Sequence, residues 1–86
     1  MYEIILSPVA EKALARLLKS DRKLFKQISA AIDQLSDNPH SGKTLTGNLK
    51  GLYSYRIRDH RILYEIESNL PRVIVLKIEH RKQVYR

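Results

Sequence analysis

Apolar positions in the first half of the chain recur with the period of a helix, and in the second half with the period of a strand. Tyr2 to Leu6 is a short apolar run that predicts a strand entering a core. Ser7-Pro8 follows as a helix start: the Ser7 hydroxyl can cap, and Pro8 takes the first helical position, where its missing N–H costs nothing. Ala10, Leu14, Leu17 and Leu18 fall on one stripe. Ser20-Asp21 interrupts the stripe and opens a second helix, in which Leu24, Ile28, Ala31, Ile32 and Leu35 repeat the 3.6-residue period until Asp37-Asn38-Pro39. Two amphipathic helices joined this tightly predict a hairpin with a shared apolar seam.

Residues 40–51 form a polar connector that holds all three glycines of the chain, with Lys43 and Lys50. Glycines gather where backbone turns sharply or approaches something closely. Strand-like alternation begins at Leu52, with Tyr53, Tyr55 and Ile57 on one face and Ser54, Arg56 and Arg58 on the other. After a turn at 58–61, Ile62, Tyr64 and Ile66 are expected inward, and Arg61, Leu63 and Glu65 outward. After a second turn at 67–71, Ile74, Leu76 and Ile78 are expected inward, and Val73, Val75, Lys77 and Glu79 outward. The order β-α-α-β-β-β predicts one α+β domain over residues 1–86. Its helical hairpin packs on one face of a small, mainly antiparallel four-stranded sheet and leaves the other face open.

Composition narrows the setting. A hydrophobic content of 43% with 29% charged residues suits a globular chain rather than a disordered one. There is no cysteine, so neither a disulfide framework nor a thiolate metal site is expected. No apolar run approaches the ~20 residues of a membrane span, and Met1 to Leu6, with Glu3 and then Pro8, is unlike a signal peptide. A cytoplasmic protein without membrane contact is expected.

The net charge of +7 is uneven: residues 1–43 carry seven Lys/Arg against five Asp/Glu, and residues 44–86 carry nine against four. Such an excess favours an anionic partner without choosing among nucleic acid, acidic protein and membrane surface.

Arg56, Arg58 and Arg61 share the open face in this reading. Guanidiniums crowded together repel, and a phosphate among them relieves the repulsion through paired hydrogen bonds. The plainer alternative is a solvated strand face answered by Asp59, Glu65 and Glu67. Tyr53 and Tyr55 are expected on the core side. Tyr85 lies past the basic pair Arg81-Lys82 and can reach over the open face. His80 sits beside that cluster, either as a structural residue pointing inward like Ile78 or as a proton carrier. His40 and His60 fall in turns and are expected at the surface. No metal-ligand spacing, Gly-rich phosphate loop or nucleophile elbow is present.

Together, Leu52-Tyr53-Ser54-Tyr55-Arg56-Ile57-Arg58, Arg61-Ile62-Leu63-Tyr64-Glu65-Ile66 and Ile78-Glu79-His80-Arg81-Lys82-Gln83-Val84-Tyr85 resemble the RelE/ParE superfamily of toxin–antitoxin toxins. Ser7-Pro8-x-Ala10, Asn38-Pro39 and Leu45-x-Gly47-x-Leu49-x-Gly51 extend the resemblance over essentially the whole chain. The resemblance to the RelE-like branch implies a ribosome-dependent endoribonuclease that cuts mRNA in the ribosomal A site without metal or other cofactor. There the mRNA's own 2′-hydroxyl attacks the adjacent phosphate. By position it implies catalytic roles for Arg56, Arg61, Arg81 and Tyr85, with His80 a candidate general acid or base. Lys43, Lys50, Arg58 and Lys82 would contact mRNA or rRNA. The implied partners are a RelB-like antitoxin, the ribosome and mRNA.

One departure stands out: Ser54 and Arg56 occupy positions where RelE proteins with a well-defined basic site carry lysines. Proton abstraction then falls to His80, to Tyr85, to a connector lysine such as Lys50, or to no protein group. Two other readings accompany this one, a ParE-like inhibitor of DNA gyrase and a non-catalytic ribosome- or RNA-binding module.

Overall fold

The expected helical hairpin forms, and its caps explain where each helix starts. In a computed structural model that describes residues 1–81, β1 (Glu3–Leu6) leads into α1 (Pro8–Ser20) and α2 (Arg22–Asp37). The Ser7 hydroxyl accepts from the Ala10 N–H at 3.1 Å and donates to the Leu76 carbonyl at 2.6 Å, so one side chain caps α1 and ties it to the sheet. Asp21 accepts from the Leu24 N–H at 3.1 Å and so caps α2. The stripe on α1 is narrower than expected, because Leu18 is exposed while Ala10 is buried and Ala13, Leu14 and Leu17 pack against the core. No helix among the described residues is long and apolar enough to cross a membrane.

The rest of the sheet is β2 (Lys43–Thr44), β3 (Tyr53–Ile57), β4 (His60–Glu67) and β5 (Arg72–His80), arranged β1-β5-β4-β3-β2. The β1–β5 pair is parallel and the others are antiparallel. The α+β class and the one-sided helical layer are as expected, but the sheet has five strands among the described residues where four were expected. The extra strand comes from the connector. Tyr64, fully buried, donates its hydroxyl to the Pro39 carbonyl at 2.6 Å and accepts from the Gly42 N–H at 3.1 Å. That pins the chain where Lys43 and Thr44 meet Ser54 and Tyr53. Only glycine fits at 42, since a Cβ there would collide with the Tyr64 hydroxyl. Burial holds that hydroxyl above its ordinary pKa and keeps it a donor.

A second correction concerns β5. Val73 and Val75, expected outward, are fully buried, while Ile74 and Leu76, expected inward, are only half-buried. The cause is a register shift: Leu63 pairs with Lys77 but Tyr64 pairs with Val75, so Leu76 is an extra residue and the inside–outside phase inverts across it. The core therefore joins Leu24, Ile28, Ile32 and Leu35 of α2 to Ile62, Tyr64, Val73, Val75 and Ile78. Each fully buried aliphatic side chain contributes about 1.5–3 kcal/mol. Tyr53 and Tyr55 pack against this core from β3, as expected.

Candidate active site

The registers of β3 with β4 and of β4 with β5 place three charged side chains in a row. Arg56 of β3 lies opposite Arg61 of β4, and Arg61 lies opposite Glu79 of β5. In the adjoining row Lys43 of β2 lies opposite Ser54. The β3–β4 turn closes the end of the site. Its first residue, Arg58, adopts φ 54°, as a two-residue hairpin loop requires a positive φ that side chains other than glycine tolerate at a cost of about 1–2 kcal/mol. The Arg81 N–H donates to the Asp59 carbonyl at 2.6 Å, which draws the residue after β5 against this turn.

These elements enclose a cleft of about 220 Å³. Among the described residues, Lys43, Arg56, Arg61 and Arg81 line it with Asp59 as the only carboxylate, alongside Leu45, Ser54 and His60. Four cations against one anion, on a concave surface with partly apolar walls, concentrate positive potential. Arg61 bonds Glu79, Nε to Oε2, at 3.4 Å. Arg56, Arg81 and Lys43 form no ion pair with a carboxylate among the described residues.

Three of the four residues expected to be catalytic, Arg56, Arg61 and Arg81, thus converge with Lys43. Lys50 and Arg58 do not line the cleft, and Lys82 and Tyr85 lie outside the described residues. The connector lysine that reaches the site is Lys43 rather than Lys50. His80 is not in the cleft lining and meets His60 edge-on, with ring centroids 4.9 Å apart. His60 is the imidazole residue of the cleft lining. It was expected in an exposed turn, but it is half-buried and begins β4, whose phase His60-Ile62-Tyr64 already carried the signal. Among the described residues no three His, Cys, Asp or Glu are grouped so as to hold a metal ion.

The pKa of His60 lies below the usual 6.5, mainly through burial and next through the His80 imidazole, with Arg58 adding and Asp59 and Asp21 opposing. As pH falls through 6.5 the unfolded chain takes up this proton before the folded chain does. Folding stability should therefore decline on acidification, over the window from 6.5 down to the lowered value. Urea midpoints of the wild type and His60→Gln at about pH 8 and about pH 5 check this. The variant should lose less stability across the interval, and equal losses would assign the titration to another group.

The family model described as "ParE toxin of type II toxin-antitoxin system, parDE" matches residues 4–85. Toxin RelE of Mycobacterium tuberculosis is 31% identical over 86 residues, covering 99% of this chain and 87% of that protein. Toxin RelG of the same organism is 31% identical over 86 residues, covering 99% of this chain and 97% of that protein. Among solved structures, the toxin–antitoxin complex RelBE2 from Mycobacterium tuberculosis contains a chain that superposes with a TM-score of 0.82 at 27% identity. The match covers 93% of this chain and 98% of that one.

Proposed function

This chain belongs to the RelE/ParE superfamily of type II toxin–antitoxin toxins, and from that premise we propose that it is a ribosome-dependent endoribonuclease that cuts mRNA in the ribosomal A site. The observation that carries the reading is the convergence of Lys43, Arg56, Arg61 and Arg81 on one cleft. A phosphodiester is the ligand such a cleft suits, since arginine forks match two phosphate oxygens at once.

In this mechanism the 2′-hydroxyl oxygen of the mRNA attacks the adjacent phosphorus and the P–O5′ bond breaks. The products are a 2′,3′-cyclic phosphate and a free 5′-hydroxyl. Negative charge builds on the non-bridging oxygens in the transition state, and Arg56, Arg61 and Arg81 meet it. One well-placed donor of this kind is worth ~10²–10³ in rate. Arginine stays charged near neutrality, so the three guanidiniums orient and stabilise rather than accept the proton. Lys43 faces Ser54 across the strand pair and restores an amine to the position that Ser54 leaves without one. Tyr85 keeps the catalytic role that the resemblance implies, and the proton lost by the 2′-hydroxyl is balanced by the one gained at the 5′-oxygen.

An antitoxin partner follows from RelBE2, a toxin solved in complex with its antitoxin. An acidic, amphipathic segment that folds on contact suits the cationic cleft. Action on the ribosome places the chain in the cytoplasm.

The test is to incubate the toxin with mRNA in a translating extract and in the same extract depleted of ribosomes, then map mRNA ends. Cuts within translated codons that require ribosomes support the proposal. Intact mRNA with inhibited DNA gyrase would overturn it in favour of the ParE-like gyrase inhibitor. Stalled translation without cuts would overturn it in favour of a non-catalytic binder.

A further inference from the structure

Arg61 is the crowded member of the cationic row. It lies directly opposite Arg56, and cross-strand neighbours on one face have β-carbons only about 4.5–5.5 Å apart. Like charges at that spacing push each other away, so a guanidinium with four rotatable bonds would swing off the cleft unless something held it. The other neighbour in the row supplies the hold. Glu79 Oε2 lies 3.4 Å from Arg61 Nε, and both side chains are largely shielded, at 21% and 18% exposure. Glu79 Oε1 is 3.8 Å from Lys77 Nζ, so a second cation shares the carboxylate's charge and the row stays net positive.

The atom engaged is what gives this pair a role. Nε is the inner nitrogen of the guanidinium. Holding Arg61 there fixes the plane of the group and leaves its two terminal nitrogens as a fork for one anion. We infer that Glu79 is a positioning residue: it anchors Arg61 through Nε and presents the two terminal amino groups to the phosphate that reacts in the cleft. This rests on the endoribonuclease reading above, and it assigns a role to a residue that does not itself line the cleft.

The consequence is a split in kinetics. An acid that merely opposed RNA binding would, on removal, raise both affinity and rate. A positioning acid on removal leaves ground-state affinity unchanged or higher, since one negative charge has gone, while the misaligned fork slows the chemical step. Glu79→Ala is expected to lower kcat on ribosome-bound mRNA by about tenfold with KM unchanged or reduced, because a loosened catalytic group costs transition-state contacts. Glu79→Gln keeps an acceptor for Nε–H and should recover most of that loss. The pair is partly exposed, so neither variant should fail to fold.

Nitrogen-15 spectra give a readout independent of cleavage. The Arg61 Nε–H should be protected from solvent exchange in the wild type and in Glu79→Gln, and should exchange rapidly in Glu79→Ala. Rapid exchange in the wild type, or an unchanged or raised kcat in Glu79→Ala, would overturn the inference. If the wild type cuts no ribosome-bound mRNA, the endoribonuclease reading is what fails, and the Nε–H measurement alone decides whether Glu79 holds Arg61.

Discussion

Arg61→Ala should lower cleavage of ribosome-bound mRNA by about 10²–10³-fold while leaving the protein folded, since one preorganised donor to a developing oxyanion carries that much rate. Arg61 is the member of the cationic set with the most fixed surroundings. It is half-buried at the start of β4, opposite Arg56 on one side and bonded to Glu79 on the other. Arg56, Arg81 and Lys43 are exposed and have more freedom to relocate. Removing Arg61 therefore takes away the best-oriented fork and leaves Glu79 with Lys77 as its remaining described ion-pair partner. The fold should tolerate it, because a partly exposed pair adds little stability and the repulsion from Arg56 disappears. The measurement is single-turnover cleavage on programmed ribosomes, with thermal unfolding of the same preparation as control. A loss of less than about tenfold in a folded variant would mean that Arg61 binds RNA without acting on the reacting phosphate.

Tyr64→Phe should be the most damaging single-atom change to stability. The hydroxyl it deletes has two partners, the Pro39 carbonyl at 2.6 Å and the Gly42 N–H at 3.1 Å, beneath a ring with no solvent exposure. A buried polar group left without its partner costs about 1–3 kcal/mol. For a domain of this size each 1 kcal/mol moves Tm by about 4–8 °C, so a fall on the order of 10 °C is expected. The effect should reach the site as well, because the same hydroxyl pins the connector that becomes β2 and carries Lys43 into the cleft. Scanning calorimetry of the two chains decides the matter. A fall of less than about 4 °C, the lower equivalent of 1 kcal/mol, would show that water replaces the hydroxyl at little cost.

The contrast between α2 and β5 shows what hydrophobic pattern can and cannot specify. In α2 the buried Leu24, Ile28, Ala31, Ile32 and Leu35 recur at helical spacing, with Lys26, Gln27, Ser29, Asp33 and Gln34 among the residues between them, so the buried stripe is legible directly. In β5 residues 73–76 are all apolar, and the expected phase was taken from Lys77 and Glu79, although Arg72 at the other end marks the opposite one. Extending the expected phase backwards fails because the bulge at Leu76 lies between those two residues and the start of the strand. The strand β2 was illegible for another reason. Two residues carry no periodicity, and this pair is held by a tyrosine more than twenty positions along the chain. The placing of Arg56 beside Arg61 was legible because the hairpin between them is local. Glu79's role was not, because it depends on a register between β4 and β5 and on which nitrogen of Arg61 faces the carboxylate.

The parallel pairing of β1 with β5 sets an order of events in time. Ser7 at the end of β1 bonds the carbonyl of a residue 69 positions later. At synthesis rates of about 5–20 residues per second, that partner is made roughly 3–14 s after Ser7. The helical hairpin is local and can form during the wait, but the sheet cannot close, because β5 inserts between β1 and β4 rather than at an edge. The strand that arrives late also carries Glu79 and leads into Arg81. The cleft is thus incomplete until β5 has been made, and the step that closes the core is also the step that completes the cleft.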